Sequence, residues 1–379
     1  MRKNIAIVVM GATVGLLVAV LPEAVQASPV PWQTTTAPAG VGGQQSVSCW
    51  AAGGCLSVGG GQAMEWNGST WTAVPAPANS DVEGVSCLSS RRCVAVGNTA
   101  QNGAAAWSWN GRTWTSQSAY RPPGFPGAGL SAVTCVSVTR CEAVGSTGNA
   151  GCSGNCGPLA EVWNGMSWSD QPISGAPSSD DAWLAGVTCA SAHMCEAVGG
   201  SPAYTCTVGI CVIPPVAWAA GLSGGRWVTQ PSMTALYPDA ADAESVSCWA
   251  ASHCTAVGRE GSAVGPDNPG CTFAARWNGS TWTTQGSIGS GQPSGVYFAD
   301  WAGVHCQSAS RCTAAGAYEP NYAGPESALV SSWNGKAWSQ VSAPPGGDNS
   351  YLAGLACAHG GPVCTAVGGE SGLALAERN

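Results

Sequence analysis

The chain has 379 residues, of which 9% are charged, with 13 basic against 21 acidic residues and a net charge of −8. That balance offers no basic patch of the kind nucleic acid demands, which excludes nucleic acid as a partner. Nineteen cysteines stand beside 53 glycines and 18 tryptophans.

In chain order, the first element is Arg2 and Lys3, then an apolar run over residues 5–21, then Val25-Gln26-Ala27. A basic start, an apolar stretch and small residues make a secretory signal peptide over residues 1–27, with cleavage expected after Ala27. Retention as an anchor is the alternative, because the run sits at the short limit for spanning a bilayer. No later stretch is long enough to span. A single exported domain over 28–379, extracellular or held at the cell surface, is therefore expected. In such a protein cysteines read first as disulfides.

After "SPVPWQTTTAP", a cysteine-framed unit recurs seven times. The copies begin at Val47 ("VSCWAAGGCLSVG"), Val85, Val133, Val187, Val246, Val304 and Leu355. Six copies have five residues between the cysteines and the last has six; first cysteines lie 38 to 59 residues apart. Each copy leads through an apolar stretch to W-N-G-x-x-W, read as "WNGSTW" from Trp66 and again from Trp277. Looser versions begin at Trp109, Trp163 and Trp333, and blade four has drifted to Leu222-Ser223-Gly224-Gly225-Arg226-Trp227. Every unit thus offers four short Val/Trp/Thr-rich segments, a to d, bounded by Gly, Asn, Pro or Ser. Asn-Gly turns c into d as a hairpin. Four strands per 40–60-residue unit are the mark of propeller blades.

The last copy stops at "ALAERN", read as the end of segment c and the Asn of the turn, while Trp32 matches the opening of a d segment. The expectation is an all-β, seven-bladed propeller of four antiparallel strands per blade. Its ring is closed by the N-terminal strand, which completes blade seven. The pattern resembles the secreted bacterial seven-bladed β-propellers, and its G-x-x-W-[ST] hairpin is similar to the Asp-box hairpins of sialidase-like propellers. Here, however, Asn precedes Gly directly. The resemblance implies a fold and almost nothing about activity, since propellers host many functions.

Within that frame the repeated tryptophans read as packing between blades rather than as sugar platforms. The pairs Cys49–Cys55, Cys87–Cys93, Cys135–Cys141, Cys189–Cys195, Cys248–Cys254, Cys306–Cys312 and Cys357–Cys364 read as one staple per a–b hairpin. The remaining cysteines are placed in b–c loops, with Cys152–Cys156 and Cys206–Cys211 as the simplest local pairs and Cys271 left over. The spacing does not fit a zinc site, and no metal or cofactor is expected.

Alternating strand direction puts the b–c and d–a connections on one face and the a–b and c–d connections on the other. The b–c stretch is the variable one, from 7 residues in blade one to 23 in blade four. Long loops on a rigid scaffold are where sites are built. All seven tyrosines, Tyr120, Tyr204, Tyr237, Tyr297, Tyr318, Tyr322 and Tyr351, map to that face. Acids and rings recur together just before segment a, as Asp181 with Trp183, Asp300 with Trp301, and Asp348 with Tyr351. An acidic side chain beside a ring suits a sugar; the plainer reading is an Asp capping a turn while the ring packs.

No catalytic residues are assigned. G-x-S-x-G, H-E-x-x-H and phosphate-cradling loops are missing, and only Arg121 and Arg259 of the arginines map to the long-loop face. The expected function is a non-enzymatic binding module for a glycan or a cell-surface protein, with glycan as the leading ligand. A polysaccharide-active hydrolase or lyase and a protein-binding scaffold are the alternatives.

Overall fold

The computed structural model describes residues 31–379 except 79, 100–102, 121, 123–124, 126, 149–156, 178–181, 203–204, 208–209, 213–214, 234–235, 237–240, 262–269, 287–288, 323, 342–348 and 359–360. Over 202–214 only the described backbone is considered. The signal segment, Cys152, Cys156, Asp181 and Asp348 therefore lie outside the described residues.

The described residues form strands and turns, with no helix long and apolar enough to cross a membrane. Seven sheets keep one antiparallel order. Blade one is Ser46–Ala51, Gly54–Gly59, Gln62–Trp66 and Trp71–Val74. Blade two is Ser80–Ser89, Arg92–Thr99, Ala104–Trp109 and Trp114–Gln117. Blade three is Gly129–Ser137, Arg140–Ser146, Pro158–Trp163 and Trp168–Asp170. Blade four is Trp183–Ser191, Met194–Pro202, Pro215–Ser223 and Arg226–Thr229, with Ile173–Ser174 added in parallel to its outer edge. Blade five is Ala241–Ala250, His253–Glu260, Cys271–Trp277 and Trp282–Thr284. Blade six is Phe298–Ser308, Arg311–Glu319, Ser327–Trp333 and Trp338–Gln340. The seventh has Ser350–Cys357, Cys364–Glu370 and Leu373–Arg378, and Gln33–Thr34 as its outer strand. This is a seven-bladed β-propeller.

Closure is visible in the register. Gln33 faces Arg378 and Thr34 faces Glu377. One refinement emerges: Thr365 faces Arg378, so Asn379 occupies the place opposite Cys364 that Trp66 or Trp277 holds opposite its own cysteine. It is therefore the counterpart of the first Trp of W-N-G, not of the Asn. Its Oδ1 accepts from the Cys364 N–H at 2.7 Å.

The hairpins explain the repeated W-N-G-x-x-W. Asn67 Oδ1 accepts from the N–H groups of Ser69 and Thr70, both at 3.0 Å, so the side chain itself closes the turn. The following Gly68 has φ +101°, a region that favours glycine. The two tryptophans then face each other, as Trp66 and Trp71 do with ring centroids 5.6 Å apart. Most of these rings are buried between blades, Trp227 completely. The expected packing role holds.

Two further features lock neighbouring blades, and a third packs the strands within a blade. Indole N–H groups of d strands donate to the preceding blade's d strand: Trp168 to Gln117 (3.0 Å), Trp227 to Gln171 (2.9 Å) and Trp282 to Gln230 (2.8 Å). Trp71 does the same to Thr35 at 3.0 Å, which ties blade one to the N-terminal strand of blade seven. Serines of the V-S-C motif reach across too: Ser48 accepts from Cys87 N–H (2.9 Å), Ser86 from Cys135 N–H (3.0 Å) and Ser247 from Cys306 N–H (2.9 Å). Finally, the glycine ending A-V-G lies against the inner strand so closely that a Cβ on Gly258 would stand 2.0 Å from the Asp242 carbonyl oxygen.

All seven blade disulfides form, each within its own a–b hairpin. Seven such bridges fit an oxidising compartment. Cys206 and Cys211 face each other across a two-stranded ribbon, Thr205–Thr207 with Ile210–Val212. Cys271 is free, and it opens the c strand of blade five rather than lying in the loop before it.

Candidate functional site at the channel mouth

The inner strands surround a central channel of about 480 Å³ lined by all seven blades. Its wall is set by a bulge repeated in the inner strands of blades two to seven. Register skips one residue each time, between Val82 and Gly84, Leu130 and Ala132, Leu184 and Gly186, Ala243 and Ser245, Trp301 and Gly303, and Leu352 and Gly354. A bulge leaves the extra residue unpaired and re-aims its side chain. The skipped residues, Glu83, Ser131, Ala185, Glu244, Ala302 and Ala353, line the channel, and Gln45 does so from blade one.

Below this ring comes a layer of small residues, which lets adjacent inner strands approach. A Cβ on Gly186 would come within 2.9 Å of the Glu244 carbonyl oxygen, and one on Gly354 within 2.9 Å of that of Gln45. A third layer is Val47, Val85, Val133, Val187, Val246, Val304 and Leu355. The polar groups therefore gather at the end nearest the long loops.

Two glutamates of the ring stand in different electrostatic settings. Glu83 lies beside Asp81, and burial followed by that carboxylate raises its pKa above the usual range. Glu244 is pushed up to about 7, by burial first and then by Asp242, with Arg259 opposing and Asp300 adding to the rise. Arg259 is held by Asp242 through two contacts, Nε to Oδ1 at 3.2 Å and Nη2 to Oδ2 at 2.7 Å. Its charge is thus already matched by one partner, leaving Glu244 and Asp300 in excess.

The proposed acid-and-ring residues part company here. Trp301 is fully buried, with its ring 4.8 Å from that of Trp338, so it is core and offers no face to a ligand. Asp300 accepts from the Ala317 N–H at 3.1 Å, and burial pushes its pKa up to about 6. Asp300 thus sits within the inner strand and bonds its cross-strand partner rather than capping a turn, with the carboxylate still within the field of Arg259 and Glu244. Trp183 is half-buried, lines the channel, and lies over Gly200, where a Cβ would meet its ring at 2.2 Å. Tyr351 is half-buried against Gly43 and Gly369. On the same face Tyr297 and Tyr322 form an edge-to-face pair at 5.2 Å, with Tyr322 exposed.

The bulge ring was not read from the sequence. Its trace is the residue before Gly in "VEGV", "LAGV", "WAGV" and "LAGL", a position that looks like any strand residue until the register skip turns it inward. Of the described charged residues on this face, Asp81, Glu83, Asp242, Glu244, Glu260, Asp300, Glu319, Glu326 and Glu370 are acidic, and Arg259 is basic.

No protein-family model matches the chain, and no curated protein is similar to it. Among solved structures it is similar to "YCF48 bound to D1 peptide", at 14% identity and TM-score 0.56, covering 93% of this chain and 96% of that one. It is also similar to the β-propeller domain of Cps50 (Swd1) from Myceliophteria thermophila, at 9% identity and TM-score 0.51, covering 92% and 99%. At such identities the likeness shows the fold: an all-β ring of seven four-stranded blades, a scaffold suited to binding.

Proposed function

We propose that this chain is a secreted, non-enzymatic binding module that takes a basic segment of a partner protein at the channel mouth. The observation that carries this reading is the bulge ring, which puts Glu83 and Glu244 on the channel wall beneath a face of nine described acids and one arginine. A Lys or Arg side chain entering there would pair with Glu83 and Glu244, whose pKa values are raised by burial and then by neighbouring carboxylates. One of the similar structures is described as holding a peptide, which supports a protein partner.

A glycan is the second reading, favoured by the half-buried Trp183, which lines the same channel as the polar Gln45, Glu83 and Ser131. Tyr351, near the start of the inner strand Ser350–Cys357, would border such a ligand; Asp181 and Asp348 lie outside the described residues.

The test sets basic peptides and a glycan array against the wild-type protein, Glu83→Gln and Glu244→Gln. Basic-peptide binding should weaken at least tenfold in either variant. It should also weaken between pH 8 and pH 6, as Glu244 gains a proton near 7. Glycan binding that survives both changes would sink the basic-segment reading.

A further inference from the structure

The opposite face carries a second feature, independent of the channel. The a–b and c–d turns meet there, and between blades two and three they leave a groove of about 370 Å³. Its floor and walls include Trp109, Trp163, the half-exposed Leu88 and Val138, and the cysteines of the two blade disulfides.

The repeat supplies its own control. Where blade two has Arg91-Arg92 in its a–b turn, blade one has Gly53-Gly54, blade four His193-Met194 and blade five Ser252-His253. The residue after the first cysteine is apolar in six blades, Trp50, Leu88, Val136, Ala190, Trp249 and Ala358, and Gln307 in the other. The corresponding groove between blades four and five is smaller, about 290 Å³, and has Glu196, Thr229 and Gln230 in its lining. Blades three and six also carry an arginine before the second cysteine, Arg140 and Arg311, but blade two carries two in succession.

The charge is concentrated. Arg91 and Arg92 are both exposed at the groove, and Arg112 is exposed on the adjoining hairpin, whose Gly111 lies against the Arg91 side chain. The described ion pairs are Arg140 with Glu142 and Arg259 with Asp242, so these three guanidinium groups are matched by no carboxylate. Together they make a local positive patch on a chain of net charge −8. Arginine presents a planar fork that holds carboxylates in a bidentate manner.

We infer that the groove between blades two and three docks an extended acidic segment of a partner protein. Its apolar side chain sits between Leu88 and Val138, and its carboxylates lie on Arg91, Arg92 and Arg112. A segment lying across a seam of this size needs no closure of the blades.

The probe is a fluorescein-labelled octapeptide alternating aspartate with leucine, titrated by anisotropy into the full mature protein. Octapeptides alternating serine with leucine and aspartate with serine serve as controls. The acidic, apolar probe should bind at least tenfold more tightly than either control. Arg91→Ser with Arg112→Ser should weaken it at least tenfold, and so should Val138→Asp, while Arg226→Ser, at an exposed arginine of the blade-four hairpin, leaves it unchanged. Equal binding of all three peptides would overturn the proposal, as would wild-type affinity in Val138→Asp. Anionic phosphatidylglycerol vesicles that bind in an Arg91/Arg112-dependent but Val138-independent manner, with no preference among the peptides, would also overturn it. That result would make the face a surface-charge contact instead.

Discussion

Removal of the N-terminal strand tests the ring directly. Trp32 is 5% exposed and packs in one core with Leu375, Leu352 and Val330. Thr35 binds the Ala376 carbonyl through its N–H at 2.8 Å and its hydroxyl at 3.0 Å, and accepts from the Trp71 indole at 3.0 Å. Replacing a buried tryptophan by alanine costs about 3–5 kcal/mol. Losing the acceptor of a part-buried indole adds about 1–3 kcal/mol. An unfolding entropy of about 2.1 cal/mol/K per residue over the whole ring converts each kcal/mol into about 1.4 °C. Trp32→Ala should therefore lower Tm by about 4–7 °C, and deletion of residues 31–37 by more than about 10 °C. The exposed Gln33→Ala should leave Tm near that of the parent. The assay is calorimetry at one fixed scan rate, because rings of this size unfold irreversibly in many cases. A deletion variant that melts with the parent would refute closure, since a frayed terminus contributes almost nothing.

Other expectations concern packing, pH and redox state. Trp301→Ala should lose about 3–5 kcal/mol of stability with ligand affinity retained in the folded fraction, whereas Trp183→Ala should lose affinity with a smaller drop in Tm; paired melting and binding curves on both variants decide this. Glu377 is completely buried, its carboxyl oxygens have no hydrogen-bond partner among the described residues, and its pKa is raised to about 7 by burial and then by Glu370. A raised carboxyl contributes its full stability below the unfolded value of 4.5 and loses it as pH climbs to about 7, on the order of 3 kcal/mol in all. Tm should accordingly be higher at pH 5 than at pH 8, and Glu377→Gln should flatten that slope; a steeper slope in the variant would contradict the assignment. Non-reducing peptide mapping should return the seven within-blade bridges, and iodoacetamide under denaturing, non-reducing conditions should label Cys271 but not Cys206 or Cys211.

Much of the architecture was written in local chemistry. The cysteine spacing, the Asn-Gly turn and the paired tryptophans each act within a few residues, so blade number, strand order, hairpin disulfides and the role of Trp32 could be read directly. The W-x-x-Q clasp was also present in the sequence, as "WTSQ", "WSDQ" and "WVTQ"; in "WTTQ" the Gln285 side-chain carbonyl accepts from Thr255 instead. The clasp's partner, however, is the next blade's tryptophan more than 50 residues on, and only the folded ring brings them together.

The candidate site shows the limit most sharply. Asp300-Trp301 and Trp183 carry the same local signal of a ring ahead of an inner strand, yet one ring is fully buried and the other borders the channel. Strand residues alternate faces with a period of two, so a single register skip decides which side chain turns inward. That skip leaves no mark in residue type: the same bulge position holds Glu, Ser or Ala in different blades. The sequence by itself determined a seven-bladed ring stapled by cysteine and closed by its own first strand. Tertiary structure alone decided which carboxylates meet at the channel mouth and which seam exposes Leu88, Val138 and three arginines, because both depend on distances between blades rather than along the chain.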